Sequence, residues 1–299
     1  SPYNLVRLIL GQRAPADTET DNWYTRAKRD FQAWQQARVL VRDEAPAVYL
    51  YEHAFDWEGQ RLRRLGCVAR LSLDDASVAQ VLAHESTFEG PKADRARLLD
   101  MMEANLSPIF CVVPDPQQQA QTLMRGWADA QPPLAAARVE GDQVRLWAVT
   151  DAAAIGRLQR LMAPASLLIA DGHHRFAVAF AKRARFGTVM IYVSCLEDPA
   201  VRVRPIHRVV RLSALAQTEW VTRLGGLCDL TPASSQAALT RWLESHDAQG
   251  RFGSYVGGGG YQGQVREDVL ANALLRPTVA PPLAGLDVTL LHQVLLPHL

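Results

Sequence analysis

Apolar residues recur at Trp23, Ala27, Phe31, Trp34 and Ala37 to Val39, the spacing of a helix with one buried face. Two runs rich in aromatic and branched residues follow, 47–55 and 62–73. The short link Asp56-Trp57-Glu58-Gly59-Gln60 between them predicts a β-hairpin. A helix is expected over 90–105, with Pro91 in its first turn and Leu98, Leu99, Met102 and Ala104 on its apolar face. Pro108 to Val113 reads as a short buried strand, and 135–139 with 144–149 as a second hairpin around Glu140-Gly141-Asp142. Asp151 is placed to cap a helix over 152–162. The apolar run Leu167 to Ala170 predicts a strand that stops at Asp171-Gly172, with a helix resuming from Phe176 to Arg183. Thr188 to Cys195, almost entirely β-branched or apolar, predicts a central strand.

From about residue 213 the pattern becomes helix, short strand, helix over 234–245 and strand over 251–256. Gly257 to Gly260 then reads as a flexible turn; without the spaced glycines of a dinucleotide or phosphate loop it is given no phosphate role. Mixed helices and hairpins make the fold class α+β: a core over 1–210 and a smaller α/β part over 211–299.

Composition narrows the function classes. The 299 residues are 48% hydrophobic and 21% charged, which is globular, and a net charge of +1 gives no sign of a nucleic-acid or anionic-lipid binder. No apolar stretch approaches a membrane span, and no signal peptide opens the chain. Cys67, Cys111, Cys195 and Cys228 are widely spaced in apolar surroundings, as expected of buried thiols in a reducing cytoplasm rather than of a zinc site. The chain opens on Ser1 and stops at Leu295-Leu296-Pro297-His298-Leu299, so flanking sequence is expected at both ends and the last part is expected to be truncated.

The densest chemistry lies in Asp171, Gly172, His173, His174 and Arg175, where a strand end meets a helix start. Backbone N–H groups lack intrahelical partners there, and the helix dipole favours an anion. Glycine permits close approach, while two imidazoles and a guanidinium can neutralise phosphate oxygens. An ordinary turn with an aspartate cap, solvated histidines and a surface arginine would use the same residues. His84-Glu85-Ser86-Thr87 adds a candidate base, Glu85 or His84, and lacks the second histidine of a zinc-protease motif. Lys92 and Arg95 share a helix face, with Asp94 able to pair locally. Asn105-Leu106-Ser107-Pro108 reads as turn chemistry, and Arg204, His207 and Arg208 add further anion donors after a strand.

Five blocks in this order resemble a known family. They are Ser1 to Leu8, His84 to Thr87 with Pro91 to Arg95, Ala104 to Phe110, Ile169 to Arg175, and Pro205 to Val209. The family is the bacterial and archaeal domain of unknown function 1015, and the match covers most of 1–210. It is similar, more remotely, to the fold shared by ParB partition proteins, sulfiredoxin and archaeal free-serine kinase. That resemblance implies a phosphate-binding turn made of Asp171, Gly172, His173, His174 and Arg175, with Glu85 as base. Sulfiredoxin's reactive cysteine and ParB's DNA-binding helices have no counterpart here.

The expected function is therefore a cytoplasmic nucleotide-dependent phosphotransferase acting on a small hydroxylated metabolite, with serine as an example. ATP or ADP (or CTP) and Mg²⁺ are the implied cofactors. Asp171 would orient the acceptor or hold Mg²⁺ through water, and Lys92 or Arg95 would stabilise the transferred charge. Two alternatives stand beside it. One is a nucleotide sensor without turnover; the other is a metal-dependent hydrolase using His84, His173, His174, Asp171 and His207, although adjacent residues seldom both ligate one ion.

Overall fold

A computed structural model describes residues 1–84, 87, 89–203, 207–210, 217–245, 249–256, 258–274 and 286–298. The chain divides into two compact units, Ser1–Arg204 and Pro205–Leu299. In the first, α1 (Val6–Ile9) and α2 (Trp23–Gln36) precede the hairpin β1 (Val48–Trp57) and β2 (Gln60–Ser72). Next come α3 (Asp75–Ala79), β3 (Val81–Leu82), α4 (Glu89–Met102), β4 (Ile109–Val113) and α5 (Gln119–Ala130). A second hairpin, β5 (Ala135–Val139) and β6 (Asp142–Val149), leads to α6 (Ala152–Met162). The unit closes with β7 (Leu167–Asp171), α7 (His173–Ala181), α8 (Arg183–Phe186) and β8 (Thr188–Cys195).

These eight strands form one mixed sheet in the order β3-β7-β4-β8-β2-β1-β6-β5. Only β3 with β7 and β4 with β8 run parallel; the other pairs are antiparallel, so the architecture is α+β. Alternation puts Leu65 and Cys67, Ile109, Cys111 and Val113, and Ile191, Val193 and Cys195 into one core with Met124 of α5 and Leu158 of α6. A second apolar cluster joins Leu8, Trp23, Tyr24, Ala27 and Trp34 to Leu98 and Met102, tying α1 and α2 to α4. Helix α4 also packs on α7.

Local chemistry accounts for most boundaries. Asn22 caps α2 by accepting from the N–H groups of Tyr24 and Thr25, and the Thr25 hydroxyl returns the contact to the Asn22 N–H. Asp151 accepts from Ala154 N–H at 2.7 Å, as its position before an apolar periodic run predicts. Three expectations need correction. The helix after Asp171-Gly172 starts at His173, three residues earlier than the pattern indicates, and breaks at Lys182. Helix α5 adds to the expected elements, although Ala120, Leu123, Met124, Trp127 and Ala128 recur at helical spacing and pack on the core. The glycine run is not only a turn, for a strand begins at Gly259.

The second unit contains α9 (Gln217–Gly225), β9 (Cys228–Ala233), α10 (Gln236–Glu244), β10 (Arg251–Val256), β11 (Gly259–Val265) and α11 (Glu267–Leu274). Its sheet, β10-β11-β9, is wholly antiparallel instead of the expected α/β arrangement. Strand β11 forms despite weak propensity because it is hydrogen-bonded on both sides. Trp220, Leu224, Cys228, Val265, Leu290 and Val294 form this unit's own core. Among the described residues no helix is long and apolar enough to cross a membrane.

One buried charge anchors the large sheet. Glu52 is only 1% exposed, yet both carboxylate oxygens are satisfied: Arg63 Nε donates at 2.8 Å to one and Arg145 Nε at 2.8 Å to the other. Removing the carboxylate takes away two charge-assisted hydrogen bonds, but leaves Arg63 and Arg145 in contact with water at 45% and 27% exposure. Glu52→Ala is therefore expected to lower stability by about 1–2 kcal/mol in urea unfolding near neutral pH, the loss of hydrogen bonds to a charged group discounted for solvent. An unchanged midpoint would contradict this assignment.

Candidate functional site

The site starts from the pairing of β7 with β4. Asp171 lies opposite Phe110, and the register shifts between Phe110 and Cys111, which sets the end of β7 beside the entrance to β4. Gly172 follows with φ 100° and ψ 26°, a left-handed conformation, and serves as the cap residue of α7 with no side-chain cap. Asp171 does not cap the helix. It instead accepts from Arg175 Nη2 at 2.6 Å, one turn on, while Arg175 Nη1 donates to the Pro108 carbonyl. A Cβ on Gly172 would stand 3.0 Å from Arg175 Nη2 and 3.1 Å from its Cζ. Glycine thus permits both the turn and the seat of the guanidinium.

His173 is buried, and its ring meets that of His84 edge-on with centroids 4.5 Å apart. The His84 backbone N–H approaches His173 Nε2 at 3.5 Å.

Because α4 packs on α7, residues from both helices line one cavity of about 840 Å³, within the roughly 300–1,000 Å³ typical of ligand pockets. Asp171, Gly172, His173, His174 and Arg175 form one wall. Gly90, Pro91, Asp94 and Arg95 of α4 form the next. Ile9, Leu10, Gly11 and Arg13 close it from the N-terminal segment, with Trp23 and Ser107 between.

Both aspartates of the cavity are paired with arginines. Asp94 accepts from the Tyr24 hydroxyl at 2.6 Å and from Arg95 Nε at 2.9 Å, and Arg13 lies 3.6 Å away. Burial pushes the Asp94 carboxyl up, but these hydrogen bonds and the neighbouring guanidinium charges outweigh it and hold the group below its ordinary value. Burial, reinforced by Asp94, raises the Tyr24 phenol. The indole N–H of Trp23 is buried without a hydrogen-bond partner among the described residues.

The sequence-predicted residues divide accordingly. The cavity brings together Asp171, Gly172, His173, His174, Arg175 and Arg95, with His84 against His173. Lys92 stands outside the lining and pairs with Glu89 one turn back. Glu85 lies outside the described residues, as do Ser86 and Arg204. His207 and Arg208 belong to the second unit, where Arg208 Nε donates to His292 Nε2 at 3.1 Å. Sequence reasoning missed Arg13 and Trp23 and took Ser107 for turn chemistry. Ser107 sits inside one of the family-like blocks, a signal that could have raised it.

Among the described residues no group of three or more His, Cys, Asp or Glu side chains could hold a metal ion. All four cysteines are free and buried, and burial pushes Cys67, Cys111 and Cys228 up to about 12 and Cys195 in the same direction. Thiols so placed are poor nucleophiles.

Two outcomes follow. Gly172→Ala must carry a side chain at positive φ against Arg175, and a loss of about 1–2 kcal/mol is expected in thermal or urea unfolding; wild-type stability would contradict it. Asp94 titrates below its unfolded value, so its stabilisation is present above that value, near 3.8. It is lost as pH falls through the depressed native value. Wild-type stability should therefore fall more steeply on acidification below about pH 4 than that of Asp94→Asn. Parallel stability curves across that range would count against the pairing.

No curated protein and no solved structure matches the chain. A family model described as "Protein of unknown function (DUF1015)" matches residues 1–289, and with nearly the whole chain covered the protein belongs to that family.

Proposed function

We propose that the first unit is a nucleotide-dependent phosphotransferase of the ParB/sulfiredoxin/free-serine kinase type, working in the cytoplasm on a small hydroxylated metabolite. One observation carries this reading: the Asp171-to-Arg175 turn opens, at the N-terminus of α7, into a cavity that also holds Arg95 and Arg13. A polyphosphate needs several convergent donors, and this wall offers guanidinium groups, imidazoles and the positive end of a helix. Arg175 is the fixed donor, since the Pro108 carbonyl holds its other nitrogen.

Asp171 is 74% exposed at the cavity wall, and a hard cation such as Mg²⁺ favours one carboxylate plus substrate phosphates and water, so the residue fits that role. When bound, the ion neutralises charge on the phosphates. Glu85 would accept the acceptor's hydroxyl proton, with His84 beside it; Ser107 would hydrogen-bond the acceptor. Arg95 would steady the transferring group, held in place by Asp94. His207, Arg208 and Lys92 have no role in this reading. Buried thiols are consistent with a reducing compartment.

The test is a thermal-shift series with ATP, ADP and CTP, with and without Mg²⁺, on wild type and Arg175→Ala. A ligand that binds only the native state raises the melting temperature increasingly with concentration. One nucleotide should stabilise wild type by a few degrees and leave Arg175→Ala unmoved. No shift at millimolar nucleotide would overturn the reading. Binding without phosphoryl transfer to any small alcohol would instead favour the sensor alternative.

A further inference from the structure

The Arg175 guanidinium is held on one edge and engaged on the other. Nη1 is committed to the Pro108 carbonyl, and the group lies so near Gly172 that an added Cβ there would stand 3.0 Å from Nη2. Nη2 carries the Asp171 carboxylate at 2.6 Å. The two partners differ in freedom: Arg175 is 28% exposed and Asp171 74%. A carboxylate thus sits on the outer edge of a fixed guanidinium, at the helix end that faces the cavity. That is where a ligand anion would bind.

We infer that Asp171 is an internal anion that a ligand must displace from Arg175, so that it lowers the affinity of this turn for anions. The inference rests on the phosphate reading of this cavity. Any anion that takes the outer edge of Arg175 must first release Asp171, at the same cost for a carboxylate as for a phosphate. A phosphate dianion brings twice the charge and more acceptor oxygens, so it can engage Nη2 and the positive end of α7 together. The displaced Asp171 moves into water, which costs little for a side chain already so exposed. Asp94, the other aspartate of the cavity, is held by Tyr24 and Arg95 and does not exchange in this way.

Metal-free calorimetric titration with inorganic phosphate and with acetate tests this on wild type, Asp171→Asn, Arg175→Ala and Glu89→Gln. Glu89 lies beside the cavity-lining Gly90 and pairs with Lys92, so its substitution removes the same charge without touching Arg175. Asp171→Asn should bind phosphate roughly fivefold more tightly, the upper range for releasing one exposed pair. Acetate binding should tighten by a similar factor, while Glu89→Gln stays at the wild-type value. Equal or weaker phosphate binding in Asp171→Asn, or an equal gain in Glu89→Gln, overturns the inference. Unaltered phosphate binding in Arg175→Ala would instead remove the phosphate reading itself. Urea unfolding of each variant separates lost binding from lost folding.

Discussion

The guanidinium of Arg175 is the contact on which the site is built. It joins the first turn of α7 to the Pro108 carbonyl before β4 and to Asp171 at the end of β7. Three elements must therefore end at one place. The bulge between Phe110 and Cys111 makes this so by setting Asp171 opposite Phe110. Strand β4 cannot drift, because β8 holds it in parallel register on its other edge, with Phe110 beside Tyr192. A one-residue slip would turn Ile109, Cys111 and Val113 out of the core, so apolar burial fixes the geometry of a polar site.

The cavity is balanced rather than simply basic. Three arginines (Arg13, Arg95 and Arg175) face two aspartates; Arg95 and Arg175 are held by hydrogen bonds to Asp94 and Asp171 before any ligand arrives, while Arg13 lies 3.6 Å from Asp94 with its side chain 76% exposed. Preorganisation of this kind lowers the ordering cost of binding. The N-terminal segment adds an apolar side through Ile9, Leu10 and Trp23, so the pocket is chemically two-sided.

Much of this was legible in the chain. Both hairpins, the central strand β8 and the Asp151 cap follow from period and turn chemistry, because local rules and burial agree there. The strand-to-helix turn at Asp171-Gly172 was also legible, though its helix starts at His173 because Gly172 itself supplies the cap. What stayed hidden depends on tertiary partners. Strand β11 forms only because it has neighbours on both edges. The partners of charged residues were equally invisible. Arg13 reaches the cavity from a segment about 80 residues away from Asp94 in sequence.

The central claim is that phosphate is bound at the first turn of α7. Amide chemical-shift mapping of the ¹⁵N-labelled protein during titration with the nucleotide it binds tests this most directly. The account predicts that the largest changes fall on Gly172 to Arg175, with smaller ones at Arg95 and Arg13. Saturable binding with its largest changes elsewhere, leaving this turn unperturbed, would contradict it.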